Sequence, residues 1–222
     1  MLYGVQILLP AQDEANLYGV KRRFLEVRLL SRAQKLTLFV LGKKRMEKVI
    51  LVNEKDEEIG TEEKIKTHKE GKLHRCFSIL IFNSKGELLI QQRAKSKYHS
   101  PLLWSNTCCS HPRPNEKIIE AAKRRLKEEM GIKASHLKEL STFTYKAKSG
   151  NFIEHEFDHV FVGKFDGNPK PNKNEVEGFK WVKLQELKRD MKKYPRKYTF
   201  WFKRMMKLYA KKFRKLFQVF KG

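Results

Sequence analysis

The chain has 222 residues, of which 40% are hydrophobic and 11% aromatic; that supplies a core and excludes global disorder. Lys and Arg number 49 against 25 Asp and Glu, a net charge of +24. Such a field attracts nucleic acid, anionic lipid or small phosphorylated molecules without choosing among them. Three cysteines, two of them adjacent, make no disulfide framework and fit a reducing compartment. No run of about 18 apolar residues exists to span a bilayer, and the early apolar stretch is broken by Gln12, Asp13 and Glu14, unlike a secretory signal.

Residues 1–45 carry nine basic and three acidic side chains, with apolar residues in no clean period, and are expected to be a basic extension, poorly ordered or helical. A domain is expected over 46–210. It opens on a strand in Met46-Glu-Lys-Val-Ile-Leu-Val-Asn53, followed by the turn signal Asn53-Glu-Lys-Asp56. Cys76–Asn83 and Glu87–Gln92 flank Ser84-Lys85-Gly86 as a hairpin. Ile118, Ile119, Ala122, Leu126 and Met130 share one helical face over 116–130, and Gly131 stops that helix. Strands are expected near 138–146, 153–165 and 178–183, then helices over 184–193 and from about 196. This order argues an α/β (α+β) sandwich, a mixed sheet flanked by helices.

After Asp190 there is no acidic residue and there are twelve Lys and Arg. Trp201, Met205, Leu208, Leu216 and Phe220 fall near one helical stripe opposite the basic side chains. Residues 196–210 read as a helix covering the domain. For 211–222, an interfacial helix resting on anionic lipid is the alternative to a solvated basic face.

Two stretches in the middle carry chemistry. Trp104-Ser-Asn-Thr-Cys108-Cys109-Ser-His111-Pro-Arg-Pro114 reads as a proline-stiffened loop before a helix, with two thiols and an imidazole. A thiol beside a helix N-terminus has its thiolate favoured by the dipole. In the strand 153–162, period two places Glu154, Glu156 and Asp158 on one face. Three carboxylates in a row repel one another unless a cation or proton sits among them. His68 and His74 flank a short loop, and with His111 and the acids they would suit a divalent ion. His-x5-His is no standard metal spacing, and solvated carboxylates with unrelated histidines fit the same residues.

Together Leu73-His-Arg-Cys-Phe-Ser78, Thr107-Cys-Cys-Ser-His-Pro112, Tyr145 and Glu154-His-Glu156 resemble the type I isopentenyl-diphosphate isomerases, a Nudix-type family, over about residues 46–205. The resemblance implies that His68, His74, His111, Glu154 and Glu156 hold a divalent metal (Zn, Mn or Mg). It implies Cys109, two residues before His111, as the catalytic thiol, Glu156 as its partner acid/base and Tyr145 as that carboxylate's support. Glu129 matches the carboxylate that holds Mg²⁺ on the substrate diphosphate, and Lys64, Arg93, Lys97 and Arg125 match the surrounding basic residues. Trp201 matches an aromatic facing the isoprenoid tail, and Trp104 is a second candidate for cation stabilisation. Cys76 reads as a small core residue; His99, His136, His159 and Asp158 receive no role.

The chain departs from the Nudix hydrolase box at two positions: the opening glycine is Ser110, and the first glutamate of the catalytic helix is Arg125. A guanidinium cannot ligate the Mg²⁺ that pyrophosphohydrolysis requires, although it can grip a phosphate bidentately. The expected function is therefore interconversion of isopentenyl and dimethylallyl diphosphate. A Nudix hydrolase of a diphosphate and an RNA-binding Nudix-like module are the alternatives. The expected partner is a small-molecule diphosphate, with no specific nucleic acid. The expected location is cytoplasmic, and either a monomer or a homodimer is compatible.

Overall fold

In a computed structural model the described residues are 47–134 and 136–209. The expectations for 1–45 and 211–222 lie outside them. The elements in chain order are β1 (Lys48–Val52), β2 (Glu58–Glu63), α1 (Lys64–Glu70), β3 (His74–Phe82), β4 (Glu87–Arg93), β5 (Trp104–Ser105), β6 (Cys108–Ser110), α2 (Ile118–Met130), β7 (Leu137–Ser149), β8 (Phe152–Lys164), β9 (Val176–Lys183) and α3 (Leu184–Lys193). A 3₁₀ turn at Pro195–Lys197 then leads into α4, residues 200–209.

β3 organises the sheet. One of its edges runs parallel to β8 along its whole length, from His74 opposite Glu156 to Phe82 opposite Lys164. It also pairs antiparallel with β1 at His74, with β6 over Phe77–Ile79 and with β4 at Ile81 and Phe82. β7 adds to β8 and β9 to β4. Parallel strands need both faces covered, and the alternation along β3 supplies them. Phe77, Ile79 and Ile81 join Leu126 and Met130 of α2, whereas Leu80 and Phe82 join Leu187 of α3 and Trp201, Phe202 and Met205 of α4. The result is helix–sheet–helix layering, the sandwich expected.

The β3–β4 turn closes as its sequence dictates: Asn83 Oδ1 accepts the Glu87 amide at 2.8 Å, and Gly86 takes a φ of 79°. The reading of 104–114 as loop is corrected, because Cys108–Ser110 are a strand zipped to β3. The short loop expected between His68 and His74 is present at 71–73, joining α1, which carries His68, to β3, which begins at His74. The C-terminal stripe is rotated from its expected position. Trp201, Phe202, Met205, Met206 and Tyr209 are buried, while Leu208 is 43% exposed.

Candidate active site

A row of three side chains runs across the sheet. The parallel register sets His74 opposite Glu156, and the antiparallel β7–β8 register sets Tyr145 opposite the same Glu156. Residues directly opposite in register share a face, so all three point to the α4 side. β6 sets Cys109 opposite Ser78 on that face. His68 comes from α1, whose start is capped by the Glu63 carboxylate on the amides of Ile65 and Lys66 and whose end is Gly71 at a φ of 64°. A Cβ at Gly71 would stand 2.9 Å from the Ile153 side chain. Glycine there permits both the left-handed cap and the close approach of α1 to β8.

His68, His74, His111 and Glu156 bring one donor atom each within 4.8 Å of one another, all buried. His74 Nε2 is 3.2 Å from His111 Nε2, which is 3.0 Å from Glu156 Oε1. His68 Nε2 lies 3.5 Å from Glu154 Oε2 and 4.0 Å from Glu156 Oε1. The Nδ1 atoms of His68 and His74 donate to the carbonyls of Lys64 and Lys72 at 2.7 and 2.9 Å. That fixes the tautomer and turns both Nε2 lone pairs inward. Lone pairs and a carboxylate converging in a buried space call for a cation, so the donor set fits a divalent metal held by His68, His74, His111 and Glu156, with Glu154 beside His68.

The other oxygen of Glu156, Oε2, accepts from the Tyr145 hydroxyl and from Cys76 Sγ, the latter at 3.1 Å. Burial pushes Glu156 upward, but His111 and His74 outweigh it and hold the carboxylate well below its ordinary range. Burial also pushes Glu154 up, against the pull of His68. The Cys109 thiol sits above its ordinary value: its hydrogen bond with Cys76 lowers it, and burial with the charges of Glu156 and Asp158 outweighs that. The expectation of a thiolate favoured by a helix N-terminus is thereby corrected. Cys109 is in a strand facing carboxylates, and the thiol is held protonated. Burial keeps the Tyr145 hydroxyl protonated as well.

Cys109, His111, Tyr145, Glu154 and Glu156 line one cleft that is partly open to solvent. Lys64, Arg93, Lys97 and Arg125 line it too. Arg125 bonds Glu129 at 2.5 Å and Glu175 at 3.1 Å, and Lys97 pairs with Glu175. Glu129, 2% exposed, is further held by Gln91 at 3.1 Å and stands apart from the imidazoles. Trp201 lines the cleft with its indole N–H fixed by Ser105 Oγ at 3.0 Å. Trp104 is not brought in: it packs beside the α3–α4 core, with Lys180 Nζ 4.5 Å from its ring.

His99 and Tyr98 reach the cleft without having been singled out by the sequence. Their segment has no period to mark a face, so only the folded connection between β4 and β5 reveals them. Cys76 is buried as expected, but it also donates to Glu156. His155 turns away to the Gly71 carbonyl, and His159 bridges Asp56 and Glu139 at 2.9 Å each.

The NUDIX domain family matches residues 72–202. Isopentenyl-diphosphate Delta-isomerase 1 of Aromatoleum aromaticum is 55% identical over 156 residues, covering 70% of this chain and 88% of that protein. Isopentenyl-diphosphate Delta-isomerase of Serratia proteamaculans is 50% identical over 162 residues, 72% of this chain and 90% of its own. Among solved structures, the Deinococcus radiodurans protein DR0079 superposes with a TM-score of 0.57 at 23% identity, over 67% of this chain and 90% of that one. It shares the fold.

Proposed function

The chain belongs to the NUDIX family and, within it, to the isopentenyl-diphosphate Delta-isomerases; from that premise we infer that it interconverts isopentenyl and dimethylallyl diphosphate in this cleft. In that reaction a proton joins the terminal alkene carbon and another leaves the carbon two positions along. An alkene is a very weak base, so positive charge develops on the tertiary carbon between them, and water must be kept out. Two acid/base groups are needed, one for each carbon. Cys109 and Glu156 are that pair. The carrying observation is that both reach one cleft from strands that each pair with β3, with Tyr145 hydrogen-bonded to Glu156.

Tyr145 orients the carboxylate and stabilises its ionised form. Trp201, held by Ser105, offers a ring face to the developing charge, worth about 0.5–2 kcal/mol. Lys64, Arg93, Lys97 and Arg125 grip the diphosphate, with Glu129 as the support for a Mg²⁺ carried by the substrate. Binding at this inert end orients the reacting end. A divalent ion on His68, His74, His111 and Glu156 would fix Glu156 and lower its proton affinity; the imidazole-rich donor set suits Zn²⁺ or Mn²⁺ better than Mg²⁺. A cytoplasmic setting follows from the need for Cys109 as a thiol, which a reducing compartment preserves.

The hydrolase alternative is opposed by Arg125, a guanidinium that cannot ligate metal and stands where the Nudix hydrolase box has the first glutamate of its catalytic helix. Proton NMR of isopentenyl diphosphate with purified protein and Mg²⁺ in D₂O tests the reading. Dimethylallyl diphosphate labelled in its new methyl group is expected. Release of inorganic phosphate or of isopentenyl monophosphate instead would overturn it.

A further inference from the structure

His99 lies in the connection between β4 and β5, and none of the roles above uses it. Its side chain is 10% exposed. The ring sits 5.9 Å from the Trp201 ring, 6.0 Å from His68 and 4.5 Å from Tyr98. Nδ1 is 3.2 Å from Glu154 Oε1, bent away from ideal hydrogen-bond geometry, and both atoms are buried with no other polar partner. The second oxygen of Glu154 faces His68 Nε2 at 3.5 Å. On the other side of the ring, His99 Nε2 is 3.4 Å from Arg93 Nη2. Arg93 is fixed to the same segment through the carbonyls of His99 at 3.0 Å and Ser100 at 3.1 Å.

A guanidinium nitrogen has only hydrogens to offer, so His99 Nε2 must present its lone pair. The single ring hydrogen then sits on Nδ1, on the side of the Glu154 carboxylate, 3.2 Å from Oε1 but off the line of an ideal hydrogen bond. A carboxylate with one oxygen tied to a fixed donor offers the other in one orientation, whereas an untied one rotates freely.

We propose that His99 is a positioning residue that joins the diphosphate-gripping Arg93 to the metal-side carboxylate Glu154, accepting from the one and donating to the other so that Glu154 Oε2 is turned toward His68. The inference rests on reading the His/Glu group as a metal site. It makes the orientation of Arg93 and the orientation of Glu154 depend on one imidazole, linking the two ends of the cleft.

The test uses the full chain stripped of metal, with zinc affinity read by competition with a chromogenic chelator in the absence of substrate. His99→Ala is expected to bind zinc about 10- to 100-fold more weakly, the usual effect of losing a partner that orients a metal ligand. His99→Asn, which keeps an N–H near the Nδ1 position, is expected to recover most of that affinity. In substrate kinetics His99→Ala is expected to raise KM modestly, because Arg93 loses the ring acceptor and keeps only the two backbone carbonyls. Wild-type zinc affinity in His99→Ala would overturn the proposal. Equal loss in His99→Asn and His99→Ala would overturn it too, assigning the effect to packing against Trp201. Should circular dichroism show His99→Ala unfolded, His99→Gln, which fills the volume but lacks a donor at the Nδ1 position, is expected to show the same loss. His74→Ala separates the two levels: unchanged zinc affinity in that variant would remove the metal-site reading itself, and this proposal with it.

Discussion

Tyr145→Phe deletes one oxygen from the cleft, and its consequences can be worked from what that oxygen touches. The hydroxyl donates to Glu156 Oε2, and none of the basic side chains assigned to the diphosphate is its partner. A hydrogen bond to a charged group is worth about 1.5–3 kcal/mol. If it acts on the reacting carboxylate, kcat falls roughly 10- to 150-fold, at about 1.36 kcal/mol per decade. KM is expected to stay near the parent value. Packing survives, because the phenylalanine ring keeps the contacts of Tyr145 with Phe143 at 5.7 Å and Phe200 at 5.9 Å. Glu156 Oε2 keeps the Cys76 thiol, so the stability cost is about 1 kcal/mol. Initial rates of dimethylallyl diphosphate formation across a range of substrate concentrations, with a thermal melt of each protein, provide the assay. A raised KM with unchanged kcat would refute the argument and make Tyr145 a binding group.

Cys109→Ala is expected to fold and to lose isomerisation, whereas Cys108→Ala is expected to keep most of its activity. Cys108 points into the core beneath α2, so its loss costs about 1 kcal/mol as a small cavity. Rates and melting temperatures of both variants check this, and the reverse pattern would exchange the two thiols. Asp158 gives a pH dependence. Burial, with Glu156 alongside, pushes its carboxyl up to about 8. The folded chain therefore retains a proton that the unfolded chain loses near pH 4, and stability declines as pH rises from about 4 to about 8. Asp158→Asn has no such proton, so its melting temperature relative to the parent is expected to rise between about pH 5 and pH 8. A constant difference over that range would show that the carboxyl is not held neutral.

Local pattern was enough to place the β3–β4 hairpin, α2 with its Gly131 stop, β7, β8, β9 and α3. Each rests on interactions between residues a few positions apart: a two-residue period, a 3.6-residue period, or a turn that only Asn and Gly satisfy. The same locality put Glu154, Glu156 and Asp158 on one face of β8. The order of motifs also marked Cys109 and the five residues His68, His74, His111, Glu154 and Glu156, through likeness to a family rather than through physics. What the sequence could not specify was adjacency. The parallel pairing of β3 with β8 joins His74 to Glu156, 82 positions further along the chain, and no local period records which strand lies beside which. β6 is three residues long and exists only because β3 offers an unpaired edge, so it was read as loop. The helix that carries His68 is seven residues long, too short to show a face. Trp104 and Trp201 look alike in sequence, and the fold alone leaves Trp104 half-buried at the edge of the α3–α4 core while Trp201, buried in that core, also reaches the cleft. His99 joined the site in the same way. Its neighbours in the chain say nothing of Arg93 on one side and Glu154 on the other, because those contacts form only when the β4–β5 connection folds back over the end of β8.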